Sequence, residues 1–326
     1  MDTMTSKKLT LNTIVYISSR NNYDMLEGEV IKNINFEGFE FINVDDGSID
    51  SELKKGKEIC KKNNIPFLVN KSRGVQMATQ TLIDFINNNR PECKWIICFQ
   101  HDNYPISKNF FSKLSNYIKK GSLDTFGIVG FNNLDFGSYT LLAYYKYLLG
   151  LKPLGMIGIQ HFADYKNTGG MWLCPRKQYR VLKNKKWRKP FIVEFPMWAS
   201  VGINVHNWNK YVKPSTNYQF HLWLPDVAMQ LNEKNKPSLI IPSLYCFNHQ
   251  KLKEKYGIPS NSATSAKQGN THHFGKYSNF KYWKRRWGWE HENPRKTINL
   301  DRYKGTLIEK YFNHDFKKGP LKNFDI

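Results

Sequence analysis

The 326-residue chain has no long uninterrupted apolar run, which argues against a membrane-spanning helix. Such a helix needs roughly 18 or more consecutive apolar residues. The longest candidate, from Ser138 to Ile159, is interrupted by Lys146, Lys152, Pro153 and three glycines. Residues 1–10 are polar and contain no apolar core of a signal peptide. We therefore expect a soluble, intracellular protein.

Cysteines are few, and acidic residues are scarce. The five cysteines include no CxxC pair, so free thiols in a reducing compartment are expected and a zinc site built on them is not. The chain has 27 Asp and Glu against 49 Lys and Arg, a net charge of +22. A field of this size attracts polyanions such as nucleic acid, an anionic membrane face or an acidic glycan. A coding bias towards Lys and Asn is the alternative explanation.

The first 130 residues alternate short apolar runs with helical patterns, which predicts βαβ units and a mostly parallel sheet. Apolar spacing also predicts a helix over Val75–Ile86, and Pro225 suits the first turn of a second helix that ends near Lys234. The strands predicted along the whole chain are Thr13–Ile17, Phe39–Val44, Pro66–Val69, Trp95–Phe99, Gly127–Phe131, Met171–Cys174 and Leu239–Pro242.

Three polar segments follow three of these strands: Asp45-Asp46-Gly47-Ser48, Asn70-Lys71-Ser72-Arg73-Gly74 and Gln100-His101-Asp102-Asn103. Ligands of open α/β sheets bind beyond the carboxyl ends of the strands. Taken singly, the first segment is better explained as a helix cap, and the second is also explained as an ordinary turn. Asp102 is the most informative residue, because it stands at the rim of a buried strand.

In this order, the three segments resemble a family 2 glycosyltransferase of the GT-A fold. Looser matches follow at 168–171, at 224–227 and at His249. The resemblance implies an α/β GT-A domain over 1–250, with a nucleotide half (11–135) and an acceptor half (136–250). Residues 251–326 would form a basic, aromatic C-terminal extension or lid.

The resemblance also implies roles for residues of the nucleotide half. Asp46, with Asp45 beside it, would accept hydrogen bonds from the uracil or ribose of the nucleotide. Ser18 would lie near the same nucleotide, and Lys71 and Arg73 would meet the base or the diphosphate.

The family's metal motif is only partly present. Asp102 matches the last acid of its Asp-x-Asp motif, which holds Mg²⁺ or Mn²⁺ against both phosphates. Gln100 replaces the first acid and removes one negative charge, although its amide can still accept from the ribose. A late histidine completes the metal shell in some of these enzymes, and His272 is the candidate here. An exposed loop histidine is the plainer interpretation.

The expected activity is inverting transfer of a sugar from a UDP-sugar to an acceptor hydroxyl. Such enzymes need a general base, and Asp226 occupies the family's position for it. Asp226 is also explained as a first-turn acid facing the helix dipole, and Asp164 and Glu194 are alternative bases. The segment Tyr282–Gly288 resembles a tail motif of some of these transferases, or is a basic amphipathic segment packed on the domain.

The acceptor is least determined by the sequence. Family frequency favours a polysaccharide or lipid-linked glycan, with the enzyme in the cytoplasm or peripheral to the inner membrane. The charge of +22 keeps a viral-type enzyme that glycosylates hydroxymethylated pyrimidines of DNA as the main alternative. A nucleic-acid- or glycan-binding protein without catalysis is the third.

Overall fold

The structure is a computed structural model, and it describes residues 12–36, 38–101, 103–134, 141–155, 157–159, 184–197, 199–218, 222–248, 255–256, 279–290, 297–315 and 318–326. The described residues form a mixed α/β fold around one large sheet. Its apolar core lies on both faces of that sheet, in two large clusters of buried side chains. Asp102, His249 and His272 lie outside the described residues, as does the predicted strand Met171–Cys174.

The strands are β1 (Thr13–Ser19), β2 (Glu40–Asp45), β3 (Phe67–Val69), β4 (Trp95–Phe99), β5 (Asn103–Pro105), β6 (Ile128–Leu134), β7 (Gly158–Ile159), β8 (Phe191–Val193), β9 (Phe195–Pro196), β10 (Ser200–Asn204) and β11 (Ser238–Asn248). The α-helices are α1 (Tyr23–Met25), which continues as a π-helix over Leu26–Ile31, α2 (Asp50–Lys62), α3 (Val75–Asn89), α4 (Phe110–Lys119), α5 (Leu141–Leu148), α6 (Val205–Tyr211), α7 (Trp223–Asn232), α8 (Phe280–Trp287) and α9 (Leu307–Asn313). Short 3₁₀ turns cover Lys185–Arg188 and Leu300–Tyr303.

The large sheet has the order β3-β2-β1-β4-β10-β6-β11-β5, and β8 also pairs with β11. Its β3-β2-β1-β4 half is parallel, as the alternation of apolar runs and helices predicted. The second half is mixed. β10 runs antiparallel between β4 and β6, and β11 is parallel to β6 but antiparallel to β5 and β8.

The expectation of a mostly parallel sheet is therefore not confirmed. The sequence pattern missed β10, whose five residues, SVGIN, are all buried. A short strand that is buried on both faces shows no alternation by which to recognise it. Because β10 is antiparallel to both of its neighbours, β4 and β6 run in the same direction, and so does β11. Their carboxyl ends therefore lie at the same edge of the sheet as those of β1 and β2.

The described part of the C-terminal tail belongs to the core. Trp283 and Trp287, at i and i+4 on α8, are buried against one face of the sheet. Tyr311 of α9 is buried on the other face and donates to the Val193 carbonyl at 2.8 Å. The basic segment after Asn279 thus packs on the domain, which is the plainer of the two interpretations of Tyr282–Gly288. The domain boundary at residue 250 stays a prediction.

The four described cysteines, Cys60, Cys93, Cys98 and Cys246, are free and buried. No helix among the described residues is long and apolar enough to cross a bilayer.

Removal of a tryptophan from α8 tests whether the tail is part of the folded core. Truncation of a fully buried Trp costs about 3–5 kcal/mol through lost transfer energy and the cavity left behind. We therefore expect Trp283→Ala to lower the free energy of unfolding by about that amount in urea denaturation. Lys281→Ala, on the exposed face of the same helix, is the matched control. Equal stability of the two variants would contradict the packing.

Candidate nucleotide site

The turn after β2 is held by Asp45, which has almost no exposed surface. Its Oδ1 accepts from the amides of Gly47 and Ser48, both at 3.1 Å, and its Oδ2 accepts from the Tyr23 hydroxyl at 2.6 Å. These three hydrogen bonds show that Asp45 shapes the turn. Whether it also contacts a nucleotide stays a prediction.

Gly56 makes the contact between Tyr23 and Asp45 possible. A side chain at this position of α2 would place its Cβ 2.5 Å from the Tyr23 ring, closer than atoms can pack. Glycine in a helix interior costs about 1 kcal/mol relative to alanine. Here it lets the tyrosine ring lie against the helix and reach the carboxylate.

Asp46 links the turn after β2 to the loop before α3. Its Oδ1 accepts from the Asn70 side-chain amide and from the Gly74 backbone amide, both at 2.6 Å. Its own amide donates to the Ser19 carbonyl at 2.8 Å. Three strand ends, those of β1, β2 and β3, are therefore linked through this one residue.

The second oxygen of Asp46 is free for a ligand in the described part of the chain. None of the described residues donates a hydrogen bond to Oδ2. The side chain retains some exposure, 7% of its surface. Burial raises the pKa of Asp46 to about 7, although the hydrogen bonds from Asn70 and Gly74 act in the opposite direction. A half-ionised carboxylate at neutral pH can accept from, or donate to, a polar ligand.

The loop after β3 carries two of the predicted cations. Lys71 is exposed, whereas Arg73 is partly buried. Arg73 has φ of 61° and Gly74 has φ of 102°, so two successive residues adopt left-handed conformations before α3 begins. A non-glycine residue held in this region points to a constraint imposed by its surroundings.

The side chain of Arg73 reaches back over the turn after β2. A Cβ on Gly47 would lie 3.4 Å from the Arg73 Cγ, so the aliphatic part of the arginine covers this glycine. Gly47 itself has φ of 78°, which favours glycine. Asp46 and Arg73 thus lie in adjoining loops at the same sheet edge.

Ser18 and Gln100 continue this edge towards β4. Ile17 and Phe99 are register partners, so the residues that follow them, Ser18 and Gln100, lie side by side. Both are partly exposed. Gln100 accepts from the Asn103 amide at 3.0 Å through its backbone carbonyl.

Asn103 directly follows the predicted metal ligand Asp102 and is fully buried. Its Nδ2 donates to Asn133 Oδ1 at 2.9 Å, but its Oδ1 has no hydrogen-bond partner among the described residues. The described residues contain no group of three His, Cys, Asp or Glu side chains able to hold a metal ion. They therefore do not form a metal site by themselves, and the roles of Asp102 and His272 stay predictions.

Asp226 lies in the first turn of α7 and has no exposed surface. Its Oδ1 accepts from Arg286 Nε and Trp287 Nε1, both at 3.0 Å. Its Oδ2 accepts from Gln76 Nε2 at 3.1 Å and Gln230 Nε2 at 3.0 Å. Four donors therefore surround the carboxylate that the sequence suggested as a general base.

The charge of Asp226 is balanced within this buried cluster. Burial raises its pKa to about 6, while Arg286 and the three hydrogen-bond donors counteract that rise. A base in direct contact with an acceptor needs an accessible lone pair. In this arrangement Asp226 would have to release Arg286 first.

Several residues of the site gave no recognisable signal in the sequence. Tyr23 and Gln76 are ordinary residue types in ordinary positions, and only their contacts reveal a role. Gln76 is the partial exception, because a fully buried polar residue in the first turn of α3 must find partners. It donates to Asp226, 150 positions away.

Comparisons with known proteins return structural similarity only. No protein-family model and no curated protein sequence matches the chain. Among solved structures, GalNAc-T7 with UDP, GalNAc and Mn²⁺ matches at a TM-score of 0.47 and 13% identity. The alignment covers 85% of this chain and 54% of that one, so the chain spans about half the length of GalNAc-T7.

Two structures of glucosyl-3-phosphoglycerate synthase from Mycobacterium tuberculosis also match, and each alignment covers 78% of this chain and 84% of theirs. The complex with Mn²⁺, UDP and glucosyl-3-phosphoglycerate has a TM-score of 0.40 at 9% identity. The complex with Mg²⁺ and UDP has a TM-score of 0.41 at 8% identity. Because all three scores lie below one half, a function for this chain has to be argued from its own residues.

The raised pKa of Asp46 gives stability a dependence on pH. The folded pKa of about 7 exceeds that of an unfolded aspartate, 3.8. The folded state therefore binds more protons between these values, and stability falls as pH rises from about 4 to 7. Asp46→Asn keeps an acceptor at Oδ1 and removes the titration. We expect thermal unfolding of this variant between pH 5 and 8 to depend less on pH than that of the wild type.

The neighbouring Asp50→Asn is the matched control, because Asp50 is exposed. Its pH profile should follow that of the wild type. A profile of Asp46→Asn that also follows the wild type would show that this carboxyl titrates normally.

Asp226→Asn separates a structural role from a catalytic one. The substitution leaves the partly buried Arg286 without its counter-charge, and breaking one side of a buried pair costs up to about 3–5 kcal/mol. We expect a loss of that order in urea denaturation, partly recovered in the double variant Asp226→Asn/Arg286→Gln. Wild-type stability combined with abolished turnover would instead identify Asp226 as the base.

Proposed function

We propose that the protein is a glycosyltransferase that transfers a sugar from a UDP-sugar to an acceptor hydroxyl. The observation that carries the proposal is the convergence of Asp46, Arg73 and Gln100 at one sheet edge, with Gln100 two residues before Asp102. Carboxyl ends of parallel strands are where open α/β sheets bind nucleotides. The order of the three segments in the chain resembles the GT-A transferases.

Each group at the edge has chemistry that suits the donor. Asp46 Oδ2 would accept hydrogen bonds from the uracil or the ribose, while Oδ1 keeps the loops together. Arg73 and Lys71 would supply positive charge to the base or the diphosphate. Gln100 would accept from the ribose, and Ser18 would border the same nucleotide.

A divalent cation is part of the proposal. Asp102 would hold Mn²⁺ or Mg²⁺, with His272 as a further ligand. When bound, the ion would offset the charge that develops on the departing diphosphate. Carboxylate and other oxygen ligands suit both ions, although Gln100 provides one negative charge fewer than a second acid would.

The acceptor proposed is a hydroxyl of a surface polysaccharide or glycolipid, with inversion at the anomeric carbon. Inversion requires one base on the acceptor side. Asp226 remains the candidate of the sequence, provided that Arg286 moves away from it. Of the two alternative bases, only Glu194 lies among the described residues, and it too is almost fully buried.

Hydrolysis of UDP-sugars tests the proposal without knowledge of the acceptor. We expect slow release of UDP in the presence of Mn²⁺, abolished by EDTA and restored by added metal. Asp102→Asn should lower metal-dependent release by at least about 100-fold, because charge stabilisation of the leaving group is lost. Asp84→Asn, on the exposed side of α3, should retain wild-type release. Full activity of Asp102→Asn would remove the metal assignment, and no UDP release with any donor would argue against the enzyme.

A further inference from the structure

A short helix exposes apolar side chains where solvent would be expected to favour polar ones. The described part of the chain has seven exposed large hydrophobic side chains, and five of them lie between positions 142 and 151. They are Leu142, Tyr145, Leu148, Leu149 and Leu151, each between 54% and 77% exposed. Clustered exposure of this kind marks an interaction surface, whereas isolated exposed leucines are ordinary. We call these five side chains the outer face of α5.

The inner side of the same helix is already used. Ala143 is buried, and Tyr144 stacks on Phe247 with ring centroids 4.0 Å apart. Tyr147 packs on Tyr245 with centroids 4.7 Å apart and donates to the Ile106 carbonyl at 3.2 Å. The helix is therefore fixed to the sheet by one side and is apolar on the other as well. A helix that is apolar all round is normally covered on all sides.

The outer face of α5 follows the helical repeat. Leu142 and Tyr145 stand at i and i+3 on α5, and Leu149 continues this spacing to i+7 just after the helix, where its amide donates to the Tyr145 carbonyl at 3.1 Å. Leu148, the last residue of α5, and Leu151, in the segment after it, extend that surface. With only eight residues, α5 cannot cross a bilayer, but an apolar surface of this length can lie in the interface of one.

The charges around the outer face indicate which kind of partner it fits. Lys146 and Lys152 are exposed beside the leucines, and the segment 141–159 contains no acidic residue. Lysines beside apolar side chains suit an anionic membrane surface, where the stems stay in the apolar zone and the ammonium groups meet the phosphates. Tyrosine, with an apolar ring and a polar tip, also suits this boundary.

A second copy of this chain fits the same surface less well. A symmetric dimer uses the same patch on both copies. It would bring both pairs of lysines into one contact, with no acid from this segment to compensate them. The net charge of +22 adds long-range repulsion between copies and attraction to an anionic bilayer.

From these observations we infer that the outer face of α5, together with Lys146 and Lys152, docks the protein on an anionic lipid bilayer. α5 packs on Tyr245 and Phe247 of β11, whose neighbouring residue Asn248 pairs with Asn103, directly after Asp102. Docking through this face would therefore bring the sheet edge of the candidate nucleotide site close to the lipid surface. The docking itself does not depend on the proposed transferase activity.

Flotation with vesicles tests the docking directly. The full chain is mixed with vesicles of phosphatidylcholine alone or with phosphatidylglycerol, at constant ionic strength. We expect binding to the anionic vesicles and weaker binding to the neutral ones. Leu142→Gln/Leu149→Gln should weaken binding to anionic vesicles by at least about tenfold, since burial of each leucine is lost. Both side chains are exposed, so thermal unfolding should be nearly unchanged.

A pair of charge variants separates local from general electrostatics. Lys146→Gln/Lys152→Gln should weaken binding to anionic vesicles and leave binding to neutral ones unchanged. Lys119→Gln/Lys120→Gln is the matched control. These exposed lysines lie at the C-terminal end of α4, which precedes the amino end of β6, whereas α5 follows the carboxyl end of β6. The control should bind vesicles as the wild type does.

Three outcomes would overturn the inference. Equal binding of all variants would mean that net charge alone attracts the protein. Binding to duplex DNA without binding to vesicles would indicate a different polyanion. A dimer in solution that Leu142→Gln/Leu149→Gln converts to a monomer, with no vesicle binding, would assign the face to a second copy. None of these results depends on UDP release, so the transferase proposal stands or falls separately.

Discussion

The candidate site depends on one hydrogen-bonded carboxylate. Asp46 Oδ1 holds the Asn70 side chain and the Gly74 amide at 2.6 Å each, and it thereby joins the turn after β2 to the start of α3. Both donors lie in the loop that also places Arg73 against Gly47. The Asn70 backbone amide also donates to the Asp45 carbonyl at 2.8 Å, so the loop after β3 is anchored to the end of β2 by both side-chain and backbone hydrogen bonds. Asp46 thus holds the loop of Arg73 next to the turn that carries its own second carboxylate oxygen, Oδ2.

A second buried acid performs a comparable task on one face of the sheet. Asp226 connects α3, α7 and the C-terminal helix α8 through Gln76, Gln230, Arg286 and Trp287. Because Gln76 lies only two residues after Gly74, the two acids are joined by the first turn of α3. The C-terminal helix is consequently tied to the element that carries the candidate nucleotide loop. A change in the Asp226 cluster can thus reach the site through that turn.

The local pattern of apolar residues predicted the parallel half of the sheet, but it did not predict features that depend on contacts between residues far apart in the sequence. The apolar runs at β1, β2 and β4 and the spacing along α3 were sufficient, because each element signals its own burial. β10 is too short and too buried to show alternation. The pairing of Asp226 with Arg286 spans 60 positions, and no local feature announces it. The three polar segments were predictable as one edge, since parallel strands bring their carboxyl ends together. Tyr23 and Gly56 acquire their importance only from packing.

The central claim is that UDP binds at the edge formed by Asp46, Arg73 and Gln100, next to Asp102. A crystal structure of the protein with UDP and Mn²⁺ tests it most directly. The account predicts the uridine within hydrogen-bond distance of Asp46 Oδ2 and the ion beside the Asp102 carboxylate. A nucleotide bound elsewhere, with no ion near Asp102, would contradict it.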